Sequence, residues 1–210
     1  MCGYLVDKKN VPELKKLGVK DSKLLSVKKR VSLISELKKI CDDFILLKVT
    51  AGEIDKLRTV TNLNRLEIER MQHMIKMFEP DRVIIDSLEV NTKRFRCKVC
   101  DGLKFKSSFV VENFADKNYL EVAAASVMAK VYRDNEIKKL HKKYGFFGTG
   151  YSSDERTIRF LKDWIKRNKE FPDFVRKSWV TAQFIKEEKE QSKLLDFLMK
   201  NKMERKIEIR

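Results

Sequence analysis

The chain has 210 residues, enough to bury a sizeable core, and 42% of them are apolar, as in a folded protein. Its 47 lysines and arginines against 31 aspartates and glutamates leave a net charge of +16; that draws polyanions, nucleic acid first and an acidic membrane surface second, unless it is only a solvated coat of lysine-rich helices. Four cysteines at this length suggest no disulfide framework, no apolar run reaches membrane-spanning length and no signal-peptide pattern is present, so a cytoplasmic, membrane-free location is expected.

Residues 1–6 read as a strand already under way, followed by a turn over 7–10 and a short helix over 11–17 closed by Gly18. After a polar loop over 19–23, Ser26 caps a helix to about Cys41, with Val31, Ile34, Leu37 and Cys41 on one face. Residues 44–49 form a buried strand. A longer helix covers about 62–78, carrying Leu63, Leu66, Met71, Met74 and Met77, and Pro80 ends it. A strand over 81–86 finishes on Asp86, a helix starts near Thr92, and a strand over 109–111 runs towards Asp116. From Leu120 to Asp134 there is neither Gly nor Pro, and Leu120, Ala124, Val127, Met128 and Val131 recur at helical spacing. Ala123, Ala124, Ala125, Ser126 and Ala129 make this helix thin, so other elements can approach closely. Asp116 is placed just before its first turn, where the dipole favours a carboxylate; it is a metal ligand or base on a rigid support, or an ordinary acidic cap.

A glycine-rich loop over 144–151 follows, and Asp154 opens a helix carrying Ile158, Leu161, Trp164 and Ile165. Pro172 breaks the chain, Trp179 is assigned to the core, and Ile185 closes the globular part. The alternation of strands and helices predicts an α/β fold. The expected division is a core over 1–140, a helical region of the same domain over 141–185, and a charged tail over 186–210.

Asp86 and Asp116 each follow a buried strand, and ligands of open α/β sheets gather at the carboxyl ends of strands. Two carboxylates brought together there repel unless a cation lies between them, and Mg2+ or Mn2+ accepts carboxylate oxygens readily. On a basic protein the matching chemistry is metal-assisted hydrolysis of a phosphodiester. Aspartates at strand ends are also common turn residues.

Five stretches carry a more specific signal: residues 20–23 (Lys-Asp-Ser-Lys), 86–91 (Asp-Ser-Leu-Glu-Val-Asn), 115–134, 148–154 (Gly-Thr-Gly-Tyr-Ser-Ser-Asp) and 171–179. In this order, across about residues 3–185, they resemble ribonuclease HII of the archaeal kind. The resemblance implies a ribonuclease H-like mixed sheet flanked by helices, with a helical C-terminal region. It implies endonucleolytic cleavage of the RNA strand in RNA–DNA hybrids, and at ribonucleotides embedded in DNA, by a metal-activated water. Four acidic side chains bind the metal ions in that family, and Asp86 and Asp116 occupy two of the places. The family's opening strand, with Asp-Glu-Ala-Gly-Arg-Gly, has no counterpart here; residues 2–6 match its second strand. A start codon assigned too late is the expected explanation, and the chain as written is expected not to cleave. The rivals are a non-catalytic hybrid-binding remnant and a subunit working through a partner.

The resemblance also assigns substrate contacts. Tyr151 matches a tyrosine packed against the sugar beside the scissile bond, with a simple turn residue as the alternative. Lys23 matches a lysine near the phosphates, and Arg156, Arg176 and Lys177 would contact the nucleic-acid backbone. Cys97 and Cys100 lack two further ligands for structural zinc, and His73 and His141 are assigned surface or packing roles. In the tail, Gln191, Leu194, Phe197 and Leu198 resemble the peptide box that grips the replication sliding clamp, with Leu198 in place of its second aromatic. A terminal amphipathic helix folded on its own domain is the other reading. The protein is expected to be a monomer.

Overall fold

The computed structural model describes residues 1–104 and 106–192. The chain opens with β1 (Cys2–Leu5), a 3-10 turn over Lys8–Asn10 capped by Asp7, and α1 (Val11–Lys16), which has Pro12 in its first turn. There Pro lacks only an N–H that the helix would leave unused. Then come α2 (Val27–Ile40) and β2 (Asp43–Leu46). Ser26 caps α2 as its sequence indicates, accepting the Lys29 N–H at 3.2 Å. The buried face of α2 is rotated from the one expected: Leu37 is inside and Ile34 packs against the core as expected, but Arg30 and Leu33 are buried beside them and Val31 is 47% exposed. A buried arginine at helical spacing disguised that face.

The next helix, α3 (Ala51–Leu57), is absent from the sequence reading. Its signal is a capping box in which Thr50 and Glu53 satisfy each other's backbone N–H. α4 (Leu63–Phe78) is capped by Asn62 and buries Leu66, Ile68, Met74 and Ile75, while Met77 lies outside. β3 (Arg82–Asp86), α5 (Thr92–Cys100) and β4 (Ser108–Glu112) follow.

The long helix starts later than expected. A separate four-residue turn, α6 (Ala115–Asn118), precedes α7 (Leu120–Tyr144). Tyr119 is extended between them, and its hydroxyl donates to Glu112 at 2.7 Å, which pins the break to the end of β4. Asp116 therefore lies in α6, and Glu121 is the acid in the first turn of α7. α8 (Glu155–Arg167) is capped by Asp154, and residues 180–192 are helical.

The fold is α/β, but among the described residues four strands form two ladders. β1 pairs antiparallel with β2, and β3 pairs parallel with β4. β1 and β3 both line a cleft of about 980 Å³, so neither closes the gap to the other. Two compact units are present: residues 1–48 with 61–138, and residues 49–60 with 139 onward. The first holds two apolar clusters. One joins Leu14, Leu33 and Leu37 to Ala123, Ala124, Val127 and Met128, while the other joins Ile68 and Ile75 to Val83, Ile85, Phe95 and Val99. The second unit packs Leu161, Ile165, Phe171, Val175, Ala182 and Ile185 together, with Trp179 half-buried against them. Full burial of each large side chain contributes about 1.5–3 kcal/mol.

Candidate active site

Parallel pairing of β3 with β4 brings both carboxyl ends to one side, with Asp86 opposite Glu112 in register. Asp86 ends β3 with its side chain exposed and accepts the Ala115 N–H at 3.2 Å. That bond draws the start of α6 towards Asp86, and Asp116 is the next residue along. Glu112 does not join them as a free acceptor, because Tyr119 and the Asn118 amide, at 3.2 Å, already engage its two oxygens.

Asp116 is only 8% exposed. Burial pushes its carboxyl above the usual carboxylate range, the negative charges of Asp21 and Asp86 push the same way, and Lys23 and Lys117 pull it back in part. Such a carboxylate is under-compensated. Asp86 and Asp116 offer hard oxygen donors that fit a divalent cation of the Mg2+ or Mn2+ kind. Among the described residues, no three or more His, Cys, Asp or Glu side chains come together as a metal-binding group.

The loop bearing Lys23 is built from inside. Asp21, 5% exposed, accepts the Lys23 N–H at 2.9 Å, and the hydroxyls of Ser22 and Ser126 share a hydrogen bond at 3.1 Å. Arg30 donates through Nη1 to the carbonyls of Ser22 (2.8 Å) and Leu25 (2.7 Å), with its other terminal nitrogen 3.6 Å from Asp134. Lys130 and Arg133 also pair with Asp134, at 3.1 and 3.3 Å. Asp21 and Arg30 are the residues that sequence reasoning missed. The signal for Arg30 was its i, i+3, i+7 spacing with Leu33 and Leu37.

Asp86 and Asp116 also line the cleft, together with Ala125, Ser126 and Ala129 on the thin side of α7. At Gly3 of β1 an added Cβ would fall 2.9 Å from the Phe78 ring and 3.2 Å from the Met74 sulfur, so only glycine lets α4 come so close.

The other four expected substrate-contact residues belong to the second unit. Tyr151 is 47% exposed in the loop between α7 and α8. Gly148 shapes that loop: its φ is +81°, and a Cβ there would meet the Asp154 carboxylate at 2.8 Å. Arg156 is already engaged, its guanidinium holding both oxygens of Asp154 at 3.1 and 3.0 Å. Lys177 Nζ is 3.3 Å from Glu170, and Arg176 lies over the Trp179 ring at 5.7 Å. Asp55 of α3 accepts the backbone N–H groups of Lys177 (2.7 Å) and Ser178 (3.1 Å). Gln191 is exposed, whereas Leu194, Phe197 and Leu198 of the clamp-like box lie outside the described residues.

Residues 1–182 match the family model described as Ribonuclease HII. The chain belongs to the ribonuclease HII family. Members of that family are ribonucleases H, enzymes that act on RNA–DNA hybrids. The ribonuclease HII of Pyrococcus horikoshii is 41% identical over 199 residues, covering 93% of this chain and 90% of the relative. That of Methanothrix thermoacetophila is 39% identical, covering 89% of each. The crystal structure of ribonuclease H2 from Pyrococcus horikoshii superposes with a TM-score of 0.81, at 42% identity and 87% coverage of both chains. The ribonuclease HII of Archaeoglobus fulgidus, solved in a complex with PCNA, gives 0.78 at 36% identity, over 88% of this chain and 86% of that one. The ribonuclease HII family thus supplies the ribonuclease H-like fold expected from the five stretches. No helix among the described residues is long and apolar enough to cross a membrane.

Proposed function

We infer that this protein is a divalent-metal-dependent endoribonuclease of the ribonuclease HII kind, cutting RNA in RNA–DNA hybrids and at ribonucleotides within DNA. The observation that carries this reading is Asp116, nearly buried beside the charges of Asp86 and Asp21 where parallel strands β3 and β4 end. Asp86 and Asp116 would hold a divalent cation, which supplies water activation and neutralises charge on the leaving oxygen. Lys23, on a loop braced by Arg30, adds positive charge where a phosphate is to lie. Tyr151 presents a half-exposed ring suited to a sugar, and Arg176 and Lys177 add backbone contacts.

A second reading has its own support. Among the described residues no three His, Cys, Asp or Glu side chains gather as a metal-binding group, which favours a chain that binds a hybrid without cutting it. One experiment separates the two: a labelled hybrid is incubated with the chain and Mg2+ or Mn2+, beside Asp86→Asn. Cleavage that falls at least a hundredfold in the variant supports the nuclease. Hybrid binding with no cut supports the second reading, and no binding removes both.

For the tail, a sliding-clamp partner is proposed on the box of Gln191, Leu194, Phe197 and Leu198. A relative solved with PCNA supports it. A peptide of residues 187–205 is expected to bind the clamp, and a peptide with Phe197→Ala is not. No binding by the unaltered peptide would remove this partner.

A further inference from the structure

Phe114 lies between β4 and α6, next to the residue whose N–H bonds Asp86 and two before Asp116. Its backbone is left-handed (φ +61°, ψ +35°), a conformation that glycine or asparagine adopts far more readily than an aromatic residue. Its ring is 63% exposed, although a well-packed apolar cluster sits beneath the adjoining strands. A folding role explains neither feature, since burial does not reward the ring and the backbone disfavours it. The ring also has a companion: the Lys117 ammonium stands 4.6 Å from its centroid. The neighbouring loop is tied in by the Asn113 amide, which donates to the Val90 carbonyl at 3.3 Å, and leaves Val90 95% and Leu88 41% exposed.

An exposed aromatic face joined to a cation suits a chain of flat bases carrying phosphates. We propose that Phe114, with Lys117, is a stacking platform that positions a strand of the RNA–DNA hybrid against Asp86 and Asp116. This deepens the nuclease reading and rests on it. The ring stacks on a base or a sugar face, and Lys117 meets the adjoining phosphate. A docking protein would also value the apolar rim, but it would not need a lysine over the ring beside two carboxylates.

The test measures binding of a labelled RNA–DNA hybrid by fluorescence anisotropy in Ca2+, across a salt series. Phe114→Gly and Phe114→Asn both tolerate the left-handed backbone, so each is expected to keep or raise the melting temperature. Both are expected to weaken hybrid binding about tenfold without changing its salt slope. Lys117→Gln is expected to reduce that slope by about one. Phe114→Trp should restore affinity, with its added emission quenched when hybrid binds. Binding of the wild-type chain that both Phe114 variants match within twofold overturns the platform alone. If the wild-type chain fails to bind hybrid, the nuclease reading falls and the platform falls with it.

Discussion

At Asp116, burial and the charges of Asp21 and Asp86 all favour the protonated carboxyl, and two lysines offset them only in part. A carboxyl whose affinity for protons is higher in the folded state penalises folding once it ionises. The penalty is absent below the usual carboxylate range and grows as pH rises through it. Asp116→Asn is therefore expected to melt higher than the wild type at neutral pH in a chelating buffer, with the difference closing at acid pH. Added Mg2+ or Mn2+ should raise the wild type's melting temperature and leave the variant's unmoved. Asp55 has the opposite sign. Burial pushes its carboxyl up, but hydrogen bonds from Ser178 and the Lys177 N–H, with the charge of Arg176, outweigh this and hold it below its usual value. Its contribution is present above the usual carboxylate range and is lost as pH falls through the lowered value. Asp55→Ala should cost about 1 kcal/mol at neutral pH after allowing for solvent screening, and nothing in strong acid, as read by urea unfolding.

Among the elements, two of the loops that carry expected contact residues are held by buried polar groups. Thr157, 4% exposed on α8, donates to the Phe147 carbonyl at 2.8 Å and accepts the Gly150 N–H at 3.1 Å. Thr157→Val keeps the shape but orphans both backbone groups, and should cost about 1–3 kcal/mol in thermal or urea unfolding. Arg30 does the same for the loop over 20–25, where Arg30→Met should cost about 2–4 kcal/mol by leaving two carbonyls without their donor, while Asp134 keeps Lys130 and Arg133. Hybrid affinity should fall with it, because Lys23 loses its support. These helices were largely legible beforehand: Ser26, Asn62 and Asp154 all cap where the sequence places them. The break at Tyr119 was not, because the bond that makes it reaches back to Glu112 on another element. The inward place of Arg30 on α2 was hidden for a related reason, since a buried arginine looks polar until its three acceptors are seen.

For the molecule as a whole, the charge of +16 predicts hybrid binding that weakens steeply with salt, by a log–log slope of about −0.9 for each phosphate neutralised. Lys23→Gln should flatten that slope by about one in an anisotropy series. Arg156→Gln should flatten it less, since Asp154 already holds that guanidinium from both oxygens. Spacing and cap residues in the sequence by themselves determined the α/β alternation and most helix starts, and five ordered stretches carried the resemblance to the family, because those signals are local and ordered along the chain. They also singled out Asp86 and Asp116 as residues following strands. Only the tertiary structure decided that β3 and β4 run parallel, that the Ala115 N–H reaches Asp86, and that Asp21 adds its charge beside Asp116 from nearly a hundred residues away. Burial and electrostatic coupling depend on distances between remote segments, and no local pattern of residues encodes those distances.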